Sequence, residues 1–329
     1  MYTAKQVYNR FFDKEKWDKV NKWNKNALED FNLELKSQRK SPQTIKQYNN
    51  DIRIFFIWVY DEFDNCPIYN LKKKQLRKFI LDMTDKGMSP ARVNRMKSCI
   101  SSLYTYLEDD DECEEVEMNH MSKVKSVQKE EVREIIFLTT EEVDAIRNRL
   151  LKEEKYQLCL FLDIATETGI RHNEIHQIKK DWIVKDKNYT TNKVIGKRRK
   201  QFYVPIHDRT RESYDLYMQQ RGEDDIEELW INYRGEPLSY EGMYNWVLYF
   251  RKILEEETGE YKEINIHSFR HYYIDGMTKG YHPLCKKYGR KFTLQEVQVM
   301  VSHSSSETTN SYCKNDDEEI INKAFGWDN

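Results

Sequence analysis

Between residues 108 and 134 the chain loses the apolar rhythm it shows on either side, and this break constrains the fold more than any other feature. The stretch opens with the acidic run Glu108 to Glu117, turns basic at Lys123 and Lys125, and ends where Ile135 begins a new apolar run. A chain of 329 residues also exceeds what one hydrophobic core comfortably organises. Residues 108–134 therefore read as an interdomain linker, with one domain before it and another over 135–329.

The part before the break is written in helical period. Ser41-Pro42 supplies an N-cap and a first-turn proline, and Ile45, Tyr48, Ile52, Phe55 and Val59 follow on one face. The same opening recurs at Ser89-Pro90, ahead of Val93, Met96, Ile100, Leu103 and Leu107, with Arg92, Arg95 and Lys97 alongside. A small helical bundle over 20–107 is expected, preceded by an N-terminal extension, 1–19.

Behind the break, Thr139 and Glu142 form a capping-box pattern, and Leu158, Phe161, Leu162 and Ala165 mark a helix that Gly169 stops. Trp182-Ile183-Val184, Lys193-Val194-Ile195 and Phe202-Tyr203-Val204 are short β-prone runs, which fit a small three-stranded sheet. Helical spacing returns at Met243, Trp246, Val247, Phe250 and Leu254, and again at Leu294, Val297 and Val301 behind a Thr293/Glu296 capping box. The tail 316–327 carries Ile320, Ile321, Ala324 and Phe325 at near-helical spacing. The expected class is mainly α with a small β-sheet.

Composition narrows the function. With 39% apolar and 33% charged residues and a charged, interrupted N-terminus, the chain shows no membrane segment and no leader, so a cytoplasmic location is expected. The six cysteines, Cys66, Cys99, Cys113, Cys159, Cys285 and Cys313, form no C-x-x-C pair, which argues against a disulfide framework and a zinc cluster. A net charge of −2 leaves nucleic acid open, because binding follows local clusters. Cations gather at Lys72, Lys73 and Lys74, at Arg92, Arg95 and Lys97, and at Lys197, Arg198, Arg199 and Lys200; any one such run is more often a solvated face.

Four motifs carry possible chemistry. In Thr168-Gly169-Ile170-Arg171-His172-Asn173-Glu174 a helix stop presents an arginine, and an acid three residues on can hold its guanidinium, whose planar fork suits a phosphate. Val194-Ile195-Gly196-Lys197 puts a flexible cation near a hairpin tip. His267-Ser268-Phe269-Arg270 sets a histidine and an arginine on one helical face. His303 is followed nine residues later by Tyr312, one of 22 tyrosines. Singly, each also reads as an ordinary helix end, basic turn or surface residue.

In order and spacing the four together resemble the tyrosine recombinase (phage integrase) family, and the segments Ser41 to Trp58 and Ser89 to Leu107 resemble its core-binding domain, so that about 270 residues are covered. The resemblance implies a two-domain, C-shaped DNA clamp, with a helical, SAM-like core-binding domain and a catalytic domain. It implies that Arg171, Lys197, His267, Arg270 and His303 surround a scissile phosphate, that Glu174 braces the first arginine, and that Tyr312 is the nucleophile. Ser302 and Arg198 stand where the family usually has glycine. Implied partners are double-stranded DNA with specific target sites and further copies of the chain, as dimers on DNA and a synaptic tetramer joined through the helix at 316–327. No metal, nucleotide or other cofactor is expected.

The chemistry accounts for these residue types. Two preorganised arginines stabilise the charge that spreads over a phosphate's nonbridging oxygens. A phenol with a reference pKa of about 10 needs a base as it attacks, which suits His267, and the departing 5′ oxygen needs a proton, which suits Lys197. Two rival readings stand beside this one. A DNA-binding repressor or transcriptional regulator could keep the fold without cutting, although it would have no chemical reason to keep the six positions. His172 with His176, or His267 with His271, could be i, i+4 metal ligands, although neither segment reads H-E-x-x-H.

Overall fold

The computed structural model describes residues 10–110, 113–128 and 135–302. The chain divides into two compact units, Met1–Arg133 and Glu134–Asn329. Each has its own hydrophobic core.

In the first unit, α1 (Lys14–Lys19), α2 (Lys22–Ser37), α3 (Pro42–Glu62), α4 (Lys73–Asp85) and α5 (Pro90–Glu108) form the bundle. Both Ser-Pro openings act as read: Ser41 Oγ accepts the Thr44 N–H (3.1 Å) and Ser89 Oγ accepts the Arg92 N–H (3.4 Å), satisfying donors a helix start leaves open. Ile52, Phe55, Phe79, Met96 and Leu103 fill the core, with Phe55 and Trp58 each packed edge-on against Phe79 at 5.1 Å.

The stretch read as a linker differs from that expectation over its middle. Val116, Met121 and Val124 are buried in the first core, and Asn94 exchanges two hydrogen bonds with the backbone of Val127 (2.8 and 2.9 Å). These apolar residues follow no helical or strand period, because the segment lies on α5 as irregular chain.

The second unit runs α6 (Thr140–Lys152), α7 (Tyr156–Thr168), α8 (His172–His176), β1 (Val194–Ile195), β2 (Gln201–Phe202), α9 (Asp208–Arg221), α10 (Tyr244–Thr258), α11 (Ile266–Lys279), α12 (Pro283–Tyr288) and α13 (Leu294–Met300). Both capping boxes form, at Thr139/Glu142 and Thr293/Glu296. From Cys159 to Thr168 every residue of α7 is buried. Its polar side chains are matched: Asp163 receives Arg147 Nε (2.9 Å), and Glu167 accepts the N–H and hydroxyl of Thr210 (2.9 and 2.8 Å). Among the described residues no helix is long and apolar enough to cross a membrane.

The sheet is smaller than expected. β1 and β2 pair antiparallel, Val194 opposite Phe202 and Ile195 opposite Gln201. Trp182-Ile183-Val184 adds no third strand, and Lys180–Trp182 is a 3-10 turn. The backbone just ahead is already engaged: Lys180 N–H donates to the Glu227 carbonyl (3.0 Å), and Lys180 Nζ pairs with Asp224 (3.1 Å). The acidic run at 223–228 thus binds cations of its own unit.

Candidate active site

The site is built outward from the end of α7. Gly169 closes that helix in the left-handed region (φ +60°), and a Cβ there would lie 2.5 Å from Tyr273 Cδ1, so both the backbone turn and the close packing call for glycine. The turn places Arg171 at the N-cap of α8. Glu174, 1% exposed, holds it twice: one carboxylate oxygen accepts Arg171 Nη1 (3.0 Å) and the other its backbone N–H (2.6 Å). The Arg171 side chain remains 23% exposed.

Arg270 reaches the same turn from α11. Only 1% exposed, it donates from Nη1 to the Gly169 carbonyl and from Nη2 to the Val301 carbonyl (2.8 Å). A buried guanidinium is thereby held on main-chain dipoles, which carry no net charge. One turn earlier, His267 begins the same helix, its N–H capped by Asn265 Oδ1 (2.8 Å). Although the residue is exposed overall, protein atoms around the ring and then the charges of Arg270 and Arg171 lower its pKa. A neutral imidazole beside two guanidiniums can accept a proton.

The β1–β2 hairpin brings the lysine to this cluster. Gly196 lies so close to Glu174 that a Cβ would fall 2.8 Å from its Oε1. Lys197 follows, exposed, ahead of Arg198 (φ +60°) and Arg199 (φ +58°), two left-handed non-glycine residues that turn the tip back toward Lys200. Arg171, Glu174, Gly196, His267 and Arg270 are thus joined by direct contact or mutual charge, with Lys197 on the adjoining tip. His303, Tyr312 and the tail 316–327 lie outside the described residues.

The other sequence candidates fall differently. Lys72, Lys73 and Lys74 are exposed at the start of α4. Arg92 folds inward onto buried Asp51 (Nη1 to Oδ2, 3.2 Å), which Arg95 Nε also approaches (3.4 Å). Lys97 Nζ donates to Ser126 Oγ (3.1 Å). The paired histidines are taken up by packing: His172 stacks on Tyr240 at 4.2 Å, His176 Nε2 bonds the Leu238 carbonyl (2.9 Å), and His271 lies edge-on to Phe137 at 5.6 Å. Burial lowers His172 to a pKa of about 4. Among the described residues no group of three or more side chains is arranged to hold a metal ion. Sequence reasoning missed Gln177, whose amide bonds both peptide groups of Ile195, because that contact joins residues 18 apart.

A model of the phage integrase family matches residues 125–319, and one of the phage integrase N-terminal SAM-like domain matches residues 27–113. The SPbeta prophage-derived recombinase-like protein YomM of Bacillus subtilis is 25% identical over 324 residues, 94% of this chain and 92% of its own. Tyrosine recombinase XerC of Treponema denticola is 25% identical over 297 residues, 85% of this chain and 90% of its own. A lambda integrase dimer bound to a COC′ core site shares the fold with a TM-score of 0.65 at 17% identity, covering 94% of this chain and 83% of that one. A lambda integrase tetramer bound to a Holliday junction gives 0.65 at 17%, covering 88% and 76%.

Proposed function

The chain belongs to the phage integrase family, and on that premise we propose that it is a site-specific DNA recombinase that cuts and rejoins strands through Tyr312. The observation that carries the reading is the bond from buried Arg270 to the carbonyl of Gly169, the residue whose turn presents Arg171. Two arginines brought to one turn suit a single phosphate.

In the proposed step Arg171 and Arg270 clamp the nonbridging oxygens of the scissile phosphate, and His303 adds a hydrogen bond. The Tyr312 hydroxyl attacks phosphorus and passes its proton to neutral His267. As the new P–O bond forms, the bond to the 5′ oxygen breaks, and that oxygen takes a proton from Lys197. The products are a 3′-phosphotyrosyl enzyme and a free 5′-hydroxyl. Attack by the 5′-hydroxyl of another strand reverses the step and reseals the DNA.

Double-stranded DNA with specific sites is the proposed partner, read by a protein acting in the cytoplasm and derived from a phage or mobile element. Lys72, Lys73 and Lys74 support backbone contact, because cations at the positive end of a helix are disfavoured unless an anion joins them. The lambda integrase assemblies support dimers on DNA and a synaptic tetramer, which we assign to the tail 316–327.

The test uses suicide duplexes nicked beside the scissile position and drawn from the chain's own genomic neighbourhood. A covalent protein–DNA band on a denaturing gel, lost in Tyr312→Phe, is expected. Tight sequence-specific binding with no adduct would replace this reading with that of a repressor.

A further inference from the structure

One side chain fastens the lysine hairpin to the helix that follows Arg171. Gly196 N–H bonds the Lys200 carbonyl (2.8 Å), so the alternation of an antiparallel ladder turns both peptide groups of Ile195 away from β2. Gln177, the C-cap of α8, takes both: its Nε2 donates to the Ile195 carbonyl (3.0 Å) and its Oε1 accepts the Ile195 N–H (2.8 Å). These are the bonds a third strand would make to that residue. The second Nε2 proton goes to the Asn173 carbonyl (2.8 Å), which fixes the amide plane on α8.

A second fastening lies one residue on. The space at Gly196 is occupied by Glu174 Oε1 and by Phe202 Cε1, 2.8 and 3.0 Å from where a Cβ would sit. Glu174 is the carboxylate that braces Arg171. Any side chain at 196 therefore pushes on the arginine as well as on the hairpin.

We propose that Gln177 and Gly196 are positioning residues that register Lys197 against Arg171, so that the proton donor and the phosphate clamp are held as one piece. Neither touches the substrate. Beyond the fastening the tip turns through two strained left-handed residues, Arg198 and Arg199. With Gln177 removed, both peptide groups of Ile195 lose these partners, and the hairpin is left with its own ladder and the contact at Gly196. This inference rests on the reading of Lys197 as general acid.

The test times cleavage of two substrates that differ in one atom: ordinary DNA, and DNA with sulfur in place of the bridging 5′ oxygen at the scissile phosphate. A thiol, with a reference pKa of about 8.5, leaves as the anion without protonation. A defect in proton delivery is therefore relieved by sulfur, whereas a defect in folding or phosphate binding is not. Gln177→Ala is expected to slow ordinary cleavage by about 10- to 100-fold and to recover on the sulfur substrate. Lys197→Ala should show the same pattern with a loss of about 100- to 10,000-fold. Gly196→Ala, which also displaces Glu174, should recover only in part, and adding Glu174→Asp, a shorter acid, should restore part of the remainder.

An unchanged rate for Gln177→Ala, or a deficit that sulfur leaves in place, overturns the proposal while Lys197→Ala still responds. A Lys197→Ala deficit that sulfur does not relieve overturns instead the assignment of Lys197, and the fastening loses its role with it.

Discussion

Each unit holds a pair of arginines, and the two pairs differ in what they are given to bind. Arg92 and Arg95 converge on Asp51, and the Arg92 side chain is only 10% exposed. Arg171 and Arg270 converge on the turn at Gly169, where Arg171 takes a carboxylate and Arg270 takes main-chain carbonyls. Each pair has one carboxylate: Asp51 is shared by both of its arginines, and burial raises its pKa to about 7 even so, whereas Glu174 braces Arg171 and Arg270 is oriented by carbonyl dipoles. The first pair meets on one shared acid, and the second is divided between an acid and the main chain at one turn. The partner of an arginine, more than the arginine itself, separates the two uses.

Arg171→Ala separates the two pairs by the largest effect. Adduct formation should fall about 1,000-fold, beyond what the lost stability of leaving buried Glu174 without its guanidinium partner explains; normal chemistry at saturating DNA would erase the distinction. Arg92→Ala should act through folding instead, costing about 3 kcal/mol in denaturant titration because Asp51 stays buried with less compensation. Arg95→Ala, on the exposed side of the same carboxylate, should cost about 1 kcal/mol or less; equal losses from both would show that Arg92 is no deeper a partner than Arg95.

A third carboxylate, held by neutral partners, is raised by burial as Asp51 is. Glu167 is braced by Thr210, and burial pushes it up to about 7 from the ordinary 4.5. The folded state then keeps a proton that the unfolded chain has lost. The Glu167 contribution is therefore fully present below about pH 4.5, declines as pH rises, and levels off above about pH 7. Wild type should lose about 2 kcal/mol between about pH 5 and about pH 8 relative to Glu167→Gln. Parallel denaturant midpoints for the two proteins across that range would mean that Glu167 is ionised throughout.

Much of this architecture was legible because it is local. Ser41-Pro42, Ser89-Pro90, the boxes at Thr139 and Thr293 and the stop at Gly169 each act within a few residues, and all five form as read. The brace from Glu174 to Arg171 was visible for the same reason. What stayed hidden depends on partners distant in sequence. Arg92 looks like a free surface cation until Asp51, 41 residues away, is placed beside it. The run Trp182-Ile183-Val184 has strand composition, yet the chain ahead of it is claimed by Asp224 and Glu227. The packing of Val116, Met121 and Val124 follows no period that a sequence could display.

The burial of α7 from Cys159 onward has a consequence for motion. A helix whose surroundings are all protein can shift only if those surroundings repack, so its amides belong with the slowest-opening part of the second unit. Arg171, three residues beyond its end, is anchored to that slow part and keeps its position while exposed segments fluctuate. Adjustment to a new DNA site would therefore come from elements that travel toward the arginine, and drift at Arg171 would need neighbours throughout the core to change with it.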